Sequence, residues 1–325
     1  MKGGDSSGVH GAAALFITLA LQAHSTVASG LPQRRAGHGG GPPTALDVAG
    51  WAAEGRRVLF VTAHPDDIEG FAGGLAAALQ QTKTVNMSYL VVTTGDAGGR
   101  CYDDWGPRPG PPGFRVCEKE ELAFTRRREM VTAAALMGVP RPQVYRLGVS
   151  DGMVLAHHET ELRRGIAAVV RAVQPHVVLT HYPYPNLAAQ PTCNGACPAP
   201  ASFDDMGFHP DHQRVGWHVL NTCYGSGSAA ANNLIFDDLA VAGVPKWSIS
   251  ELYFFAMPGA GGVAPITHYL ELSPELLSRK MNASSAHRSQ YQDQFGELNA
   301  SVSFWAGQSG HAVGVPYAEA FVGYF

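Results

Sequence analysis

The stretch Val58–Gly74, "VLFVTAHPDDIEGFAGG", decides how the rest of the chain is read. Its apolar start has the length and content of a buried strand, and the run stops at His64 with two adjacent aspartates behind it. Beyond Asp67 the segment turns rich in Gly and Ala and takes a helical pattern through Gln81. Burial favours the neutral form of an acid, so a pair of carboxylates at a strand end needs something to hold it ionised.

Outward from this unit the alternation repeats. Residues 56–63, 85–95, 143–148 and 175–182 read as strands, and 68–81, 118–138 and 160–173 as helices. Strands alternating with helices argue for right-handed crossovers, a mostly parallel, doubly wound α/β sheet with helices on both faces, and a single domain. From about residue 245 the pattern weakens, with strands read at 250–257 and 267–272 and a helix at 274–290. Open α/β sheets bind ligands outside the carboxyl ends of their strands. "AHPDD" (63–67), "TTGDAGG" (93–99) and "HYPYP" (181–185) all fall there.

The 325 residues are 45% hydrophobic and 15% charged, with a formal net charge of −4, which gives no electrostatic case for nucleic-acid binding. Lys2, the apolar run Ala12–Ala23 and the small residues after it read as a signal peptide over 1–29, cleaved near Ala28 or Ser29. An uncleaved membrane anchor is the alternative, since Asp5 offsets Lys2. Residues 30–50 read as a Gly/Pro-rich linker and 51–325 as the functional domain, with no later membrane span. Asn86, Asn282 and Asn299 begin N-x-Ser sequons, compatible with a secreted or lumenal glycoprotein. Of the five cysteines, Cys101–Cys117 and Cys193–Cys197 are the natural local disulfides in an oxidising compartment. Cys223 is left as a buried thiol.

A second cluster, "FHPDHQRVGWHVLNT" (208–222), sets His209, Asp211 and His212 ahead of another helix. His64, Asp67 and His212 form a two-imidazole, one-carboxylate set that suits Zn²⁺ with positions open for water. A cation there keeps both aspartates ionised, Asp67 as ligand and Asp66 free to act as general base. His209 is the candidate acid for a leaving group, with Asp211 orienting its imidazole.

The paired "AHPDD" and "HPDH" motifs resemble the PIG-L/LmbE family of zinc-dependent N-acetylglucosaminyl deacetylases. "TTGDAGG", "TRRRE", "LGVSDG", "AHRSQ" and "YAEAF" extend the likeness over roughly 56–322. The resemblance implies a Rossmann-like fold, zinc, and removal of an acetyl group from an N-acetylated amino sugar. It places the ligands on His64, Asp67 and His212, the base on Asp66 and the acid on His209. It also implies a sugar-contacting role for Arg126 and a sugar-facing place for Asp151, with His287 and Glu319 as props of the cleft. Ile68 stands where the family usually has glutamate, and Gly207 where some members have a carbonyl-polarising tyrosine. In the loop 101–117, Tyr102, Trp105 and Phe114 either stack on a sugar at the cleft mouth or pack within their own loop. Two other functions stay open: a secreted non-catalytic carbohydrate binder, and a zinc amidase acting on a non-sugar acyl amide.

Overall fold

The computed structural model describes residues 41–102, 114–183, 209–224, 236, 238–239, 243–244, 246–256, 266–291 and 295–324. Its first elements are β1 (Thr44–Ala45), α1 (Val48–Ala53), β2 (Arg57–Thr62), α2 (Asp67–Thr82) and β3 (Asn86–Thr93). A short ribbon β4 (Cys101–Tyr102) and β5 (Phe114–Arg115) precedes α3 (Lys119–Leu136), β6 (Val144–Val149), α4 (Glu159–Val173) and β7 (Val177–His181). Then come α5 (Pro210–Tyr224), β8 (Glu251–Ala256), β9 (His268–Glu271), α6 (Pro274–Ser284), α7 (Arg288–Tyr291), α8 (Phe295–Val313) and β10 (Ala318–Tyr324).

Eight strands form one sheet in the order β1-β9-β10-β8-β7-β2-β3-β6. The five from β8 to β6 are mutually parallel, and β10 runs antiparallel between β8 and β9. The expected doubly wound, mostly parallel sheet is therefore present. Its central strands are apolar on both sides, as a sheet covered on both faces requires. Phe60, Tyr89, Leu179 and Phe255 pack with Ile68, Leu75 and Leu79 of α2, whereas Leu59, Leu90, Val178 and Phe254 pack with Ile166 of α4 and Val215 of α5. Two separate cores on opposite faces follow from strict strand alternation. Among the described residues, no helix is long and apolar enough to cross a membrane.

Three parts differ from the sequence reading. The sheet begins inside the expected linker: Thr44–Ala45 pairs with β9, and Trp51 of α1 is buried, its indole donating to Glu251. The "YAEAF" segment belongs to a full strand, β10, and residues 295–313 form a long helix whose weak polar patterning hid it. The helix read at 274–290 is two helices broken at Ser285.

β2 lies at the topological switch point: from it the chain winds outward through β3 and β6, then returns to β7 on the other side. The crevice between the carboxyl ends of β2 and β7 is where such sheets hold ligands. Cys101 and Cys117 form the expected disulfide across the β4–β5 ribbon, with Cα atoms 5.7 Å apart. Cys223 is a buried free thiol whose pKa burial pushes up to about 12. Cys193, Cys197 and Gly207 lie outside the described residues.

Candidate metal centre and active site

The turn after β2 carries the first donors. Asp66 occupies the N-cap position of α2, yet its carboxylate makes no capping bond. Asp67 reaches back instead, its Oδ2 accepting from the His64 main-chain N–H at 2.6 Å. The second motif arrives on α5, whose second turn packs against the end of β7 at Gly216. A Cβ on Gly216 would stand 2.1 Å from the His181 carbonyl oxygen, so only glycine permits this approach.

The three expected ligands converge. His64 Nδ1 lies 3.0 Å from His212 Nε2 and 3.6 Å from Asp67 Oδ2, and His212 Nε2 lies 3.0 Å from Asp67 Oδ1. Donors about 2.0–2.1 Å from a tetrahedral ion are separated by roughly 3.3 Å, so the spacings fit. Donor–acceptor accounting points the same way. Each ring nitrogen offers one N–H or one lone pair. Two facing ring nitrogens and a carboxylate oxygen can each turn a lone pair on one cation at this spacing.

His181, at the end of β7, is a site residue that sequence reasoning missed. Its ring stacks on His212 at 4.0 Å, and its Nε2 lies 3.0 Å from Asp67 Oδ2. That nitrogen also accepts from the Ala63 N–H at 3.1 Å, which commits its lone pair. Asp67, His181 and His212 make a second donor group, but this commitment favours His64 as the ligand. Burial and the His212 imidazole push His181 down to about 3, so it is neutral. Burial alone would raise Asp67, but the imidazoles of His212 and His64 hold its carboxyl well below the usual range.

The far side of His64 is acidic. Its Nε2 lies 3.0 Å from Asp151 Oδ1 and 3.5 Å from Asp211 Oδ2. A carboxylate behind a ligating imidazole fixes the ring and its tautomer. Asp151 is buried between His64 and Arg126. The Asp211 carboxylate accepts from Gly152 and Val154 N–H and faces His64; the Asp211 main-chain N–H, not its carboxylate, bonds His209, at Nδ1. That bond leaves the His209 ring proton on Nε2. His209 is exposed, with its ring edge-on to His64 at 4.5 Å.

Arg126 is 3% exposed, and its guanidinium bonds inside the protein. Nη1 donates to the Gly95 and Gly98 carbonyls, both at 3.1 Å, and Nη2 donates to Asp66 Oδ1 at 2.6 Å. Gly95, at φ +68, leaves the space: a Cβ there would lie 2.7 Å from the guanidinium. The residue assigned to the sugar thus holds the candidate base. Tyr102 is likewise unavailable for stacking on a sugar, because its hydroxyl donates to Glu129 and Arg288 lies over its ring. Trp105 and the Phe114 side chain lie outside the described residues. His287 is buried on Glu69 at 3.0 Å, in keeping with a supporting role.

The fold and site define a class: a Rossmann-like α/β domain with a histidine–carboxylate donor set and a free carboxylate at its switch point. Residues 59–192 match the family model described as "PIG-L: GlcNAc-PI de-N-acetylase". Among curated proteins it is similar to "Probable N-acetyl-alpha-D-glucosaminyl L-malate deacetylase 2" of Bacillus anthracis, at 24% identity over 75% of this chain and 85% of that protein. Among solved structures it is similar to N,N'-diacetylchitobiose deacetylase of Pyrococcus horikoshii, with TM-score 0.60, 24% identity, and coverage of 83% and 84%. It is also similar to GalB, the 4-carboxy-2-hydroxymuconate hydratase of Pseudomonas putida, with TM-score 0.52, 20% identity, and coverage of 83% and 96%. The shared architecture is the LmbE-like α/β fold.

Proposed function

We propose that this protein is a zinc-dependent hydrolase that removes the acetyl group from an N-acetylglucosamine-type amino sugar. One observation carries the reading: His64, Asp67 and His212 converge within 3.6 Å beside Asp66, a carboxylate outside that set and held by Arg126. The PIG-L match and the deacetylase named in Bacillus anthracis support the N-acetyl amino sugar. Zinc held by the three residues would supply Lewis acidity, polarising a carbonyl and acidifying water. Asp66 takes the proton of the attacking water, and the Arg126 bond fixes which of its oxygens stays free. His209, with its proton on Nε2, donates to the departing nitrogen. Asp151 and Asp211 keep the His64 ring in place.

A hydratase carries the same fold, so architecture alone does not choose the reaction. The PIG-L match favours amide hydrolysis, and the base–donor pair Asp66 and His209 argues against a pure carbohydrate binder. We place the protein in the secretory pathway, on the strength of the apolar run Ala12–Ala23 and the Cys101–Cys117 disulfide. Acetate release should be measured from N-acetylglucosamine, N,N'-diacetylchitobiose, N-acetylglucosaminyl glycosides and non-sugar acetamides, with and without chelator. Chelator-sensitive release from the sugars alone is expected. Release only from non-sugar amides makes it an amidase of another class, and binding without release makes it a lectin-like protein.

A further inference from the structure

Helix α2 is not continuous. Ala72 has φ −139° and ψ 21°, so the chain bends one turn after Asp67. In a regular helix the Gly74 N–H would donate to the Gly70 carbonyl. Here Gly74 N donates to Glu319 Oε1 at 2.8 Å, and the Gly70 carbonyl accepts from Lys280 Nζ at 2.7 Å. Lys280 Nζ and Glu319 Oε1 are themselves 2.6 Å apart. A buried ion pair therefore meets both ends of that one main-chain bond. The second carboxylate oxygen accepts from Leu75 N at 2.8 Å, in place of the helix bond to Phe71.

The charges suit their places. Carboxylate stands at the N-terminal end of the second helical piece and ammonium at the C-terminal end of the first. Both side chains are 3% exposed, and the "GG" of residues 73–74 lets them in. A Cβ on Gly73 would lie 3.0 Å from Lys280 Cγ, and one on Gly74 would lie 2.3 Å from Leu272 Cδ2. The glycine pair in the motif that opened the sequence reading thus makes room for a splice.

The piece ahead of the bend carries Asp67 and Phe71. Phe71 packs edge-on to His181 and His212, with centroids 5.2 and 5.6 Å away, and stacks on Phe255. The bend therefore sets both the carboxylate and the aromatic wall under the two imidazoles. Glu319 and Lys280 come from β10 and α6, more than two hundred residues along the chain from α2.

We propose that Lys280 and Glu319 are positioning residues for the metal site: by splicing the break at Ala72 they set the direction in which α2 presents Asp67 to His64 and His212. This rests on reading those three residues as zinc ligands. The test is zinc affinity of the full chain, measured by chelator competition well below the melting temperature. Glu319→Gln and Lys280→Met should each weaken zinc binding on the order of 10- to 100-fold, the range for outer partners of metal ligands. The double variant Lys280→Met/Glu319→Gln leaves no lone buried charge and so keeps the fold testable, with the same loss expected. Leu277→Ala, on the same helix but in the core it shares with Leu298 and Val302, should lower the melting temperature and leave affinity unchanged. Normal affinity in the splice variants, with binding abolished in Asp67→Ala, would overturn the positioning role alone. No zinc bound by the wild type would overturn the metal reading, and the positioning role with it.

Discussion

Two polar regions meet at the first turn of α2, one on the cleft side and one behind it, and they use the same side chains differently. Behind the helix two carboxylates are fully partnered. Both oxygens of Glu129 are taken, by the Tyr102 hydroxyl and by the N–H and hydroxyl of Ser289. Both oxygens of Glu319 are taken too. On the cleft side His64, Asp67, His181 and His212 bring ring nitrogens and carboxylate oxygens to about 3 Å of one another, the spacing of donors around one metal ion. A closed network holds a fold together, and one left open to a cation is where chemistry can occur. The contrast predicts that cleft variants lose turnover and keep their stability and that Glu129 variants do the reverse, while Glu319, which also splices the break in α2, affects zinc binding as well.

The largest effect should come from Asp66→Asn. Zinc should stay bound and turnover should fall on the order of 100-fold or more, because proton removal fails while the Lewis acid remains. Near-normal turnover of the zinc-loaded variant would remove Asp66 as base. Behind the helix, Glu129→Gln should cost roughly 2 kcal/mol of stability, since three hydrogen bonds lose their ionised acceptor. Thermal melts check this, and zinc content should not change. A variant that keeps its melting temperature but loses zinc would erase the distinction between the two regions.

Arg126→Lys sharpens the boundary between them. A lysine cannot serve Asp66 and two carbonyls with the same fork. We expect kcat about 10-fold lower, with KM within about 2-fold. A raised KM at unchanged kcat would return Arg126 to the sugar. The smallest effect concerns His287. Burial opposes its charge, but the bond to Glu69 and the nearby carboxylates raise its pKa above the ordinary value. The stability it adds is therefore complete below about pH 6.5 and lost as pH rises through the raised value. The gap in melting temperature between wild type and His287→Gln should shrink from about pH 6 to about pH 9. A widening gap would contradict the assignment.

What was legible in the sequence follows the same division. β2, β3, β6 and β7 and the helices between them show local periodicity, and two histidine–proline–aspartate turns mark the donors at the starts of α2 and α5. Arg126 and Asp151 were found as residues without their contacts to Asp66 and His64, because a motif gives a position and not the partner a side chain turns to. His181, Glu129 and Glu319 depend on partners 114, 160 and 245 positions away, which no local pattern encodes. The bend at Ala72 hid for the same reason: its cause lies in α6 and β10.

Metal analysis of the purified wild type beside His212→Ala tests the central claim most directly. His212 supplies the donor that closes the triangle with His64 and Asp67, so removing it should break the site while the sheet stands. The account predicts about one zinc per wild-type chain and a large loss in the variant, with an unchanged melting profile for both measured free of metal. Equal zinc in the two proteins, or none in the wild type, would contradict it.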